Sequence, residues 1–161
     1  MSRNSFGFTM VEVMVVLLIL GMVAAVAVPS INSTLDEMKI DGAAREVVSA
    51  LYYGQSLAIK EGKDFAVQFH NGQNRFWCFD KATGLKVLHL IDKKPYEIDF
   101  RDEGHFQGVD IVSAQFGVAA KSSVSFNSLG EFSDFGTVIL GYSGRQRTIN
   151  VTGLLGEVSV N

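Results

Sequence analysis

The sequence predicts an α+β chain: one long N-terminal helix, apolar in its first half, packed on an antiparallel β-sheet head built as one sheet or two. Three observations predict it. An apolar run of membrane length occupies 13–28. Apolar residues then recur at helical spacing to about residue 61. After Gly62 the period changes to alternation, with Gly-bearing turns between short strand-like runs. With 161 residues, 47% of them hydrophobic and 19% charged, the chain fits one globular domain plus an anchor and excludes a disordered polymer. A net charge of −3 supplies no general pull toward nucleic acid or anionic lipid. The single cysteine, Cys78, excludes an intrachain disulfide and a Cys-based zinc cluster.

The first element is a short polar leader, 1–7, whose one cation is Arg3. Gly7-Phe8-Thr9-Met10-Val11-Glu12 follows and leads directly into the apolar run. A bilayer span needs roughly 20 apolar residues, which 8–28 supplies if Thr9 and Glu12 are tolerated. No small-residue cleavage site follows closely, and the helical pattern continues beyond Pro29, so the run reads as retained and not as a discarded secretory signal. Glu12 is the anomaly, because a carboxylate well inside a membrane helix costs roughly 2.5–3.5 kcal/mol and normally has a partner. On the residues alone, a signal anchor carrying an incidental Glu12 also fits.

The second half of the helix, 29–61, opens on Pro29, which lacks a backbone N–H and is expected to kink it. Ile31, Leu35, Met38, Ala44, Val47, Leu51 and Ala58 read as one core-facing stripe. Asp36, Glu37, Lys39, Asp41, Arg45, Glu46 and Lys60 form the opposite side. Gly62 is the expected C-cap. Gly42 and Gly54 each weaken the helix by about 1 kcal/mol relative to Ala; close packing would explain them, and so would chance.

The head, 62–161, reads as eight or nine short strands with no second long helix. Phe65, Val67 and Phe69 alternate, and Asn71-Gly72 is the strongest short hairpin signal in the chain. The returning strand, 74–80, carries Phe76, Trp77 and Phe79, read as a core aromatic cluster. Further strands are expected at 85–91, 96–100, 109–116, 124–126, 137–142, 147–151 and 157–160.

The stretch Gly7-Phe8-Thr9-Met10-Val11-Glu12, with its leader, apolar run and Pro29, resembles the processing site of type IV pilins and of the pseudopilins of type II secretion systems. Toward the other end, Phe126-Asn127-Ser128-Leu129-Gly130, Thr137-Val138-Ile139-Leu140 and the hairpin sequences from Arg147 to Val158 resemble the GspH/FimT group of minor pseudopilins and minor pilins. The resemblance implies a pilin-like fold and cleavage by prepilin peptidase between Gly7 and Phe8, with N-methylation of Phe8. It implies that Glu12 acts in assembly, meeting the N-terminal amine of a neighbouring subunit. The implied partners are other pilin or pseudopilin subunits, an inner-membrane assembly platform and inner-membrane lipid. The implied location is the bacterial inner membrane, spanned once, with the N-terminus cytoplasmic and the head periplasmic until the subunit enters the filament.

Some members of this group bind DNA through a Gly-Arg-x-Arg string, and Gly144-Arg145-Gln146-Arg147 fits it. By strand order the family position corresponds better to Gly156-Glu157-Val158-Ser159, where Glu157 would repel phosphate. Two solvated hairpin charges are the plainer reading of Arg145 and Arg147. No cofactor is expected. His70, His89 and His105 fall on separate elements without ligand spacing, and Asp99, Asp102 and Glu103 lack an ordered calcium-loop pattern. No G-x-S-x-G elbow or P-loop arrangement is present, so an enzyme is not indicated. The expected function is a structural subunit of a type II secretion pseudopilus or a type IV pilus; the alternative is a pilus-associated DNA-binding subunit for DNA uptake.

Overall fold

In the computed structural model, residues 7–89, 93–102, 104–152 and 157–161 are described, apart from the side chains of 26–32. Helix α1 runs Met10–Glu61 as one element of 52 residues, and by internal contacts the chain forms two compact units, Met1–Asp36 and Glu37–Asn161. The expected kink at Pro29 falls among the side chains outside those described. The far end of α1 is closed as expected. Gly62 adopts φ +65°, and Lys63 N–H donates to the carbonyl of Ala58, the bond that ends a helix with a left-handed residue.

Within the second unit α1 buries Ile40, Ala43, Ala44, Val47, Ala50, Leu51, Leu57 and Ala58, a stripe with strict helical spacing. The single stripe expected from sequence is therefore two. Ala44, Val47, Leu51 and Ala58 face the core, whereas Leu35 and Met38 are exposed. The reason is phase: Val47 stands nine residues on from Met38, and at 100° per residue nine steps end on the opposite side of the helix. Gly54 lies on the buried face, where an added Cβ would stand 2.7 Å from Phe126 Cε2. Close packing is thus the reason for this glycine.

The strands are β1 (Phe65–His70), β2 (Arg75–Asp80), β3 (Glu97–Asp99), β4 (Asp110–Phe116), β5 (Ser123–Phe126), β6 (Gly136–Tyr142), β7 (Arg145–Thr152) and β8 (Glu157–Val160). They form two four-stranded sheets, ordered β3-β2-β1-β5 and β4-β6-β7-β8, with every paired neighbour antiparallel. The expected strand at 85–91 is not a ladder among the described residues. It makes isolated bridges, Phe79 with Lys86 and Leu88 with Pro95, and 90–92 lie outside those described.

The β1–β2 hairpin forms where Asn71-Gly72 signalled it, but by different turn chemistry. A 3₁₀ turn covers Asn71–Gln73, and the left-handed residue is Asn74 at φ 50°. That conformation aims Asn74 at the second sheet. Its amide Nδ2 donates to Asp110 Oδ1 at 2.6 Å, its Oδ1 accepts Ile111 N–H at 3.0 Å, and its carbonyl accepts Phe100 N–H at 2.9 Å. Behind it, fully buried Phe69, Phe76, Phe100 and Phe116 pack ring to ring at 5.6–5.7 Å and tie the two sheets together. Burying one such ring is worth roughly 1.5–3 kcal/mol.

Candidate assembly site

Because α1 starts at Met10, Thr9 occupies its N-cap. Thr9 N–H donates to Glu12 Oε2 at 2.9 Å and the Thr9 hydroxyl donates to the same oxygen at 3.0 Å, while Glu12 N–H donates to Thr9 Oγ1 at 3.2 Å. This is a reciprocal capping box, satisfying donors that a helix start otherwise leaves open. Its signal, Thr-x-x-Glu before an apolar run, stands in the sequence at Thr9 and Glu12. Glu12 is therefore partnered inside its own chain. Gly7 and Phe8 lie outside the helix and are exposed, with open space around the Gly7 α-carbon. The apolar side chains from Met10 to Val23 are exposed as well. Among the described residues no helix is long and apolar enough to cross a membrane. The run expected to do so continues into 26–32, whose side chains are outside those described.

On the second unit, α1 carries a seam on the side away from its core. Met38, Arg45, Tyr52 and Ile59 stand seven residues apart and are exposed. Exposed Ser49 and Ser56 alternate with them, giving steps of four and three from Arg45 to Ile59, while Gly42 is half-buried under the Phe106 ring, which an added Cβ would approach to 3.0 Å. This spacing is that of helices packing knobs into holes, with large residues on one line and small ones on the other. Arg45 is its one charge.

The β6–β7 hairpin latches α1 at the first turn of this unit. Its two-residue turn, Ser143-Gly144, has φ of 50° and 77°, the geometry that matches strand twist. The register pairs Leu140 with Arg147 and Val138 with Ile149, so Arg147 shares the inward face of the buried Ile149 and Val151. There Arg147 Nε donates to Asp41 Oδ1 at 2.6 Å and Nη2 donates to Glu37 Oε1 at 3.2 Å. These bonds, Asp41 first and then Glu37, raise the guanidinium's pKa further. Lys39 Nζ donates to Tyr142 Oη at 3.2 Å and lies over the same ring. The expectation of a solvated hairpin charge is thus corrected for Arg147: strand alternation turns it inward onto two carboxylates. A phosphate would have to displace both. Arg145, at the turn, also has a partner.

The remaining candidates separate. Alternation along β2 buries Phe76 and Cys78 but turns Trp77 outward, with Lys86 Nζ 4.8 Å from its ring centroid. The expected aromatic cluster is split across the sheet. Burial pushes the Cys78 thiol up to about 12, which holds it protonated. Asp99 accepts from Arg101 Nη2 at 2.7 Å and Nε at 3.0 Å; Asp102 is exposed and Glu103 lies outside the described residues. Among the described residues, no three His, Cys, Asp or Glu side chains gather as a metal site. Glu157 and Ser159 belong to β8, while Gly156 is outside those described.

Two family models match. Residues 2–28 match the prokaryotic N-terminal methylation motif, and residues 43–155 match the type II transport protein GspH. Among solved structures, the chain is similar to the minor pseudopilin EpsH from the type 2 secretion system of Vibrio cholerae. The TM-score is 0.58 at 17% identity, covering 76% of this chain and 96% of that one. It is also similar to the type IV minor pilin FimU of Pseudomonas aeruginosa, at TM-score 0.56 and 15% identity, covering 78% and 90% of the two chains. No curated protein matches by sequence.

Proposed function

The chain belongs to the GspH family of type II transport proteins, and on that premise we propose the route by which it enters a filament. It is a structural subunit of the minor pseudopilin or minor pilin kind. In the proposed route, prepilin peptidase cuts between Gly7 and Phe8 and the new amine is methylated. Residues 8–28 lie in the bacterial inner membrane, with the N-terminus cytoplasmic and the head periplasmic, until an assembly platform moves the subunit into a pseudopilus or pilus. The cut leaves a cation at Phe8, and the capping box holds the Glu12 carboxylate at the same end of α1. In a filament core of low dielectric, that carboxylate and a neighbour's amine attract strongly, and either one left unpaired is costly.

The observation that carries this reading is the exposed seam of Met38, Arg45, Ser49, Tyr52, Ser56 and Ile59. Knobs and holes in four–three register are of no use against water and fit a second helix. The test is the intact mass of the chain recovered from filaments sheared off cells. Loss of residues 1–7 with gain of one methyl group is expected. A chain missing from the sheared fraction, or present untrimmed, overturns the proposal.

A further inference from the structure

We propose that the outer face of the β4-β6-β7-β8 sheet is a lateral docking surface for the head of the adjacent filament subunit, a neutral hydrogen-bonding face that receives another. The inference rests on the filament reading above. Register places Gln115, Thr137, Asn150 and Ser159 in one row across all four strands. The next row holds Ile139 opposite Thr148. Among the described residues of this face, charge appears only at the rims, in Asp110 at the start of β4 and Glu157 at the start of β8.

The other sheet shows that such neutrality is not the rule for this chain. Its outer face carries Arg75, Trp77 and Glu97, with Lys86 laid over the Trp77 ring. Strand surfaces facing water normally carry charge of both signs, whereas the centre of a protein interface is depleted of it. The composition also sorts the occupants. Nucleic acid requires cations to displace its counterions, and an interfacial membrane contact requires bulky apolar groups beside basic ones. Uncharged hydroxyl and amide side chains beside the apolar Ile139 and the exposed Val112, which lies against Gly141, suit a protein face of the same kind.

Area decides which protein. Four strands about 4.8 Å apart, with three outward rows about 6.8 Å apart, present roughly 400 Å². A pair that holds by itself buries about 800 Å² per partner. The face is half that size, so it holds only a partner already kept nearby by another contact, for which effective concentration replaces intrinsic affinity. A neighbour gripped through its helix in the same filament meets that condition; a freely diffusing protein does not.

The test uses the full chain in cells that assemble the filament. Thr148→Lys puts an unpaired charge at the centre of the face, while His70→Lys adds the same charge to the outer face of the other sheet. The expected result is at least a tenfold loss of Thr148→Lys from sheared filaments, with unchanged thermal unfolding in detergent and normal incorporation of His70→Lys. Cys78 is buried, so Thr148→Cys offers one reactive thiol. A short thiol-to-amine cross-linker should join it, in filaments, to a second chain of pilin type identified by its peptides. Incorporation of Thr148→Lys at the wild-type level, or no cross-link, overturns the surface. Retardation of the wild type in gels containing neutral polysaccharide, relieved by Thr148→Lys, assigns the face to a glycan and also overturns it. Absence of the wild-type chain from sheared filaments would instead remove the filament reading, a separate failure.

Discussion

At Asn74 one side chain joins the two sheets, and it can do so because its backbone is left-handed. Replacing it with Ala removes two hydrogen bonds, leaves Ile111 N–H short of a partner and puts in left-handed backbone a residue without the short polar side chain that makes Asn tolerate it. Asn74→Ala should therefore cost roughly 2–3 kcal/mol in denaturant unfolding, with Asn74→Gly recovering the backbone share. A loss under about 0.5 kcal/mol, the scale of an ordinary surface change, would refute this account. Two carboxylates of the head make it less stable in acid. The Thr83 N–H, followed by that of Ala82, lowers the Asp80 pKa, and the Arg101 side chain lowers that of Asp99. Folded values below the unfolded value of about 3.9 mean that their stabilisation is complete above that pH and is lost as pH falls through the folded values. Thermal midpoints should fall as the pH drops below about 4. The decline should be shallower in Asp80→Asn/Asp99→Asn. Neither residue was a signal in sequence for this role, since an Asx turn and a local Arg pair draw on short contacts that many acids could make.

At the scale of the element, α1 has two faces that a single apolar count had merged. The inner face tolerates no added volume at Gly54, where Phe126 is fully buried. Gly54→Leu should cost about 1–3 kcal/mol by overpacking. Ser49→Leu, on the outer seam, should leave monomer stability within about 0.5 kcal/mol. Equal destabilisation by the two in denaturant titrations would mean that the faces are not distinct. Strand periods were easier to read than turns. Alternation in 65–69 marked Phe65, Val67 and Phe69 as one face, and they are buried, whereas the inward parity of Arg147 came only from the register of β6 and β7. The Asn71-Gly72 signal located a hairpin without its turn, because the conformation at Asn74 is decided by what that residue reaches across the gap.

At the scale of the whole molecule, the proposed filament route requires the N-terminal cap and the head faces to act together. Glu12→Ala should remain in the membrane fraction yet be missing from sheared filaments. Thr9→Ala, which leaves the acid but removes its hydroxyl partner, should incorporate at an intermediate level. Immunoblots of the two fractions measure both, and normal incorporation of Glu12→Ala would exclude an assembly role for the acid. Tyr52→Glu, in the middle of the helix seam, should keep its thermal midpoint while losing incorporation, because a buried unpaired carboxylate penalises only the assembled state.

Local chemistry and period determined much by themselves: the long helix, its glycine C-cap, the β-rich head and the lone acid Glu12 at the mouth of the apolar run. Each follows from residues near one another in the chain, where spacing is geometry. Tertiary structure alone decided which of two stripes on α1 is core, that Arg147 is held by Asp41 and Glu37 more than a hundred positions away, that Trp77 faces out, and that one sheet is neutral. The physical reason is that these depend on register between strands and on the phase of α1 against two sheets. Such relations are set by packing between distant segments, and no local pattern encodes them.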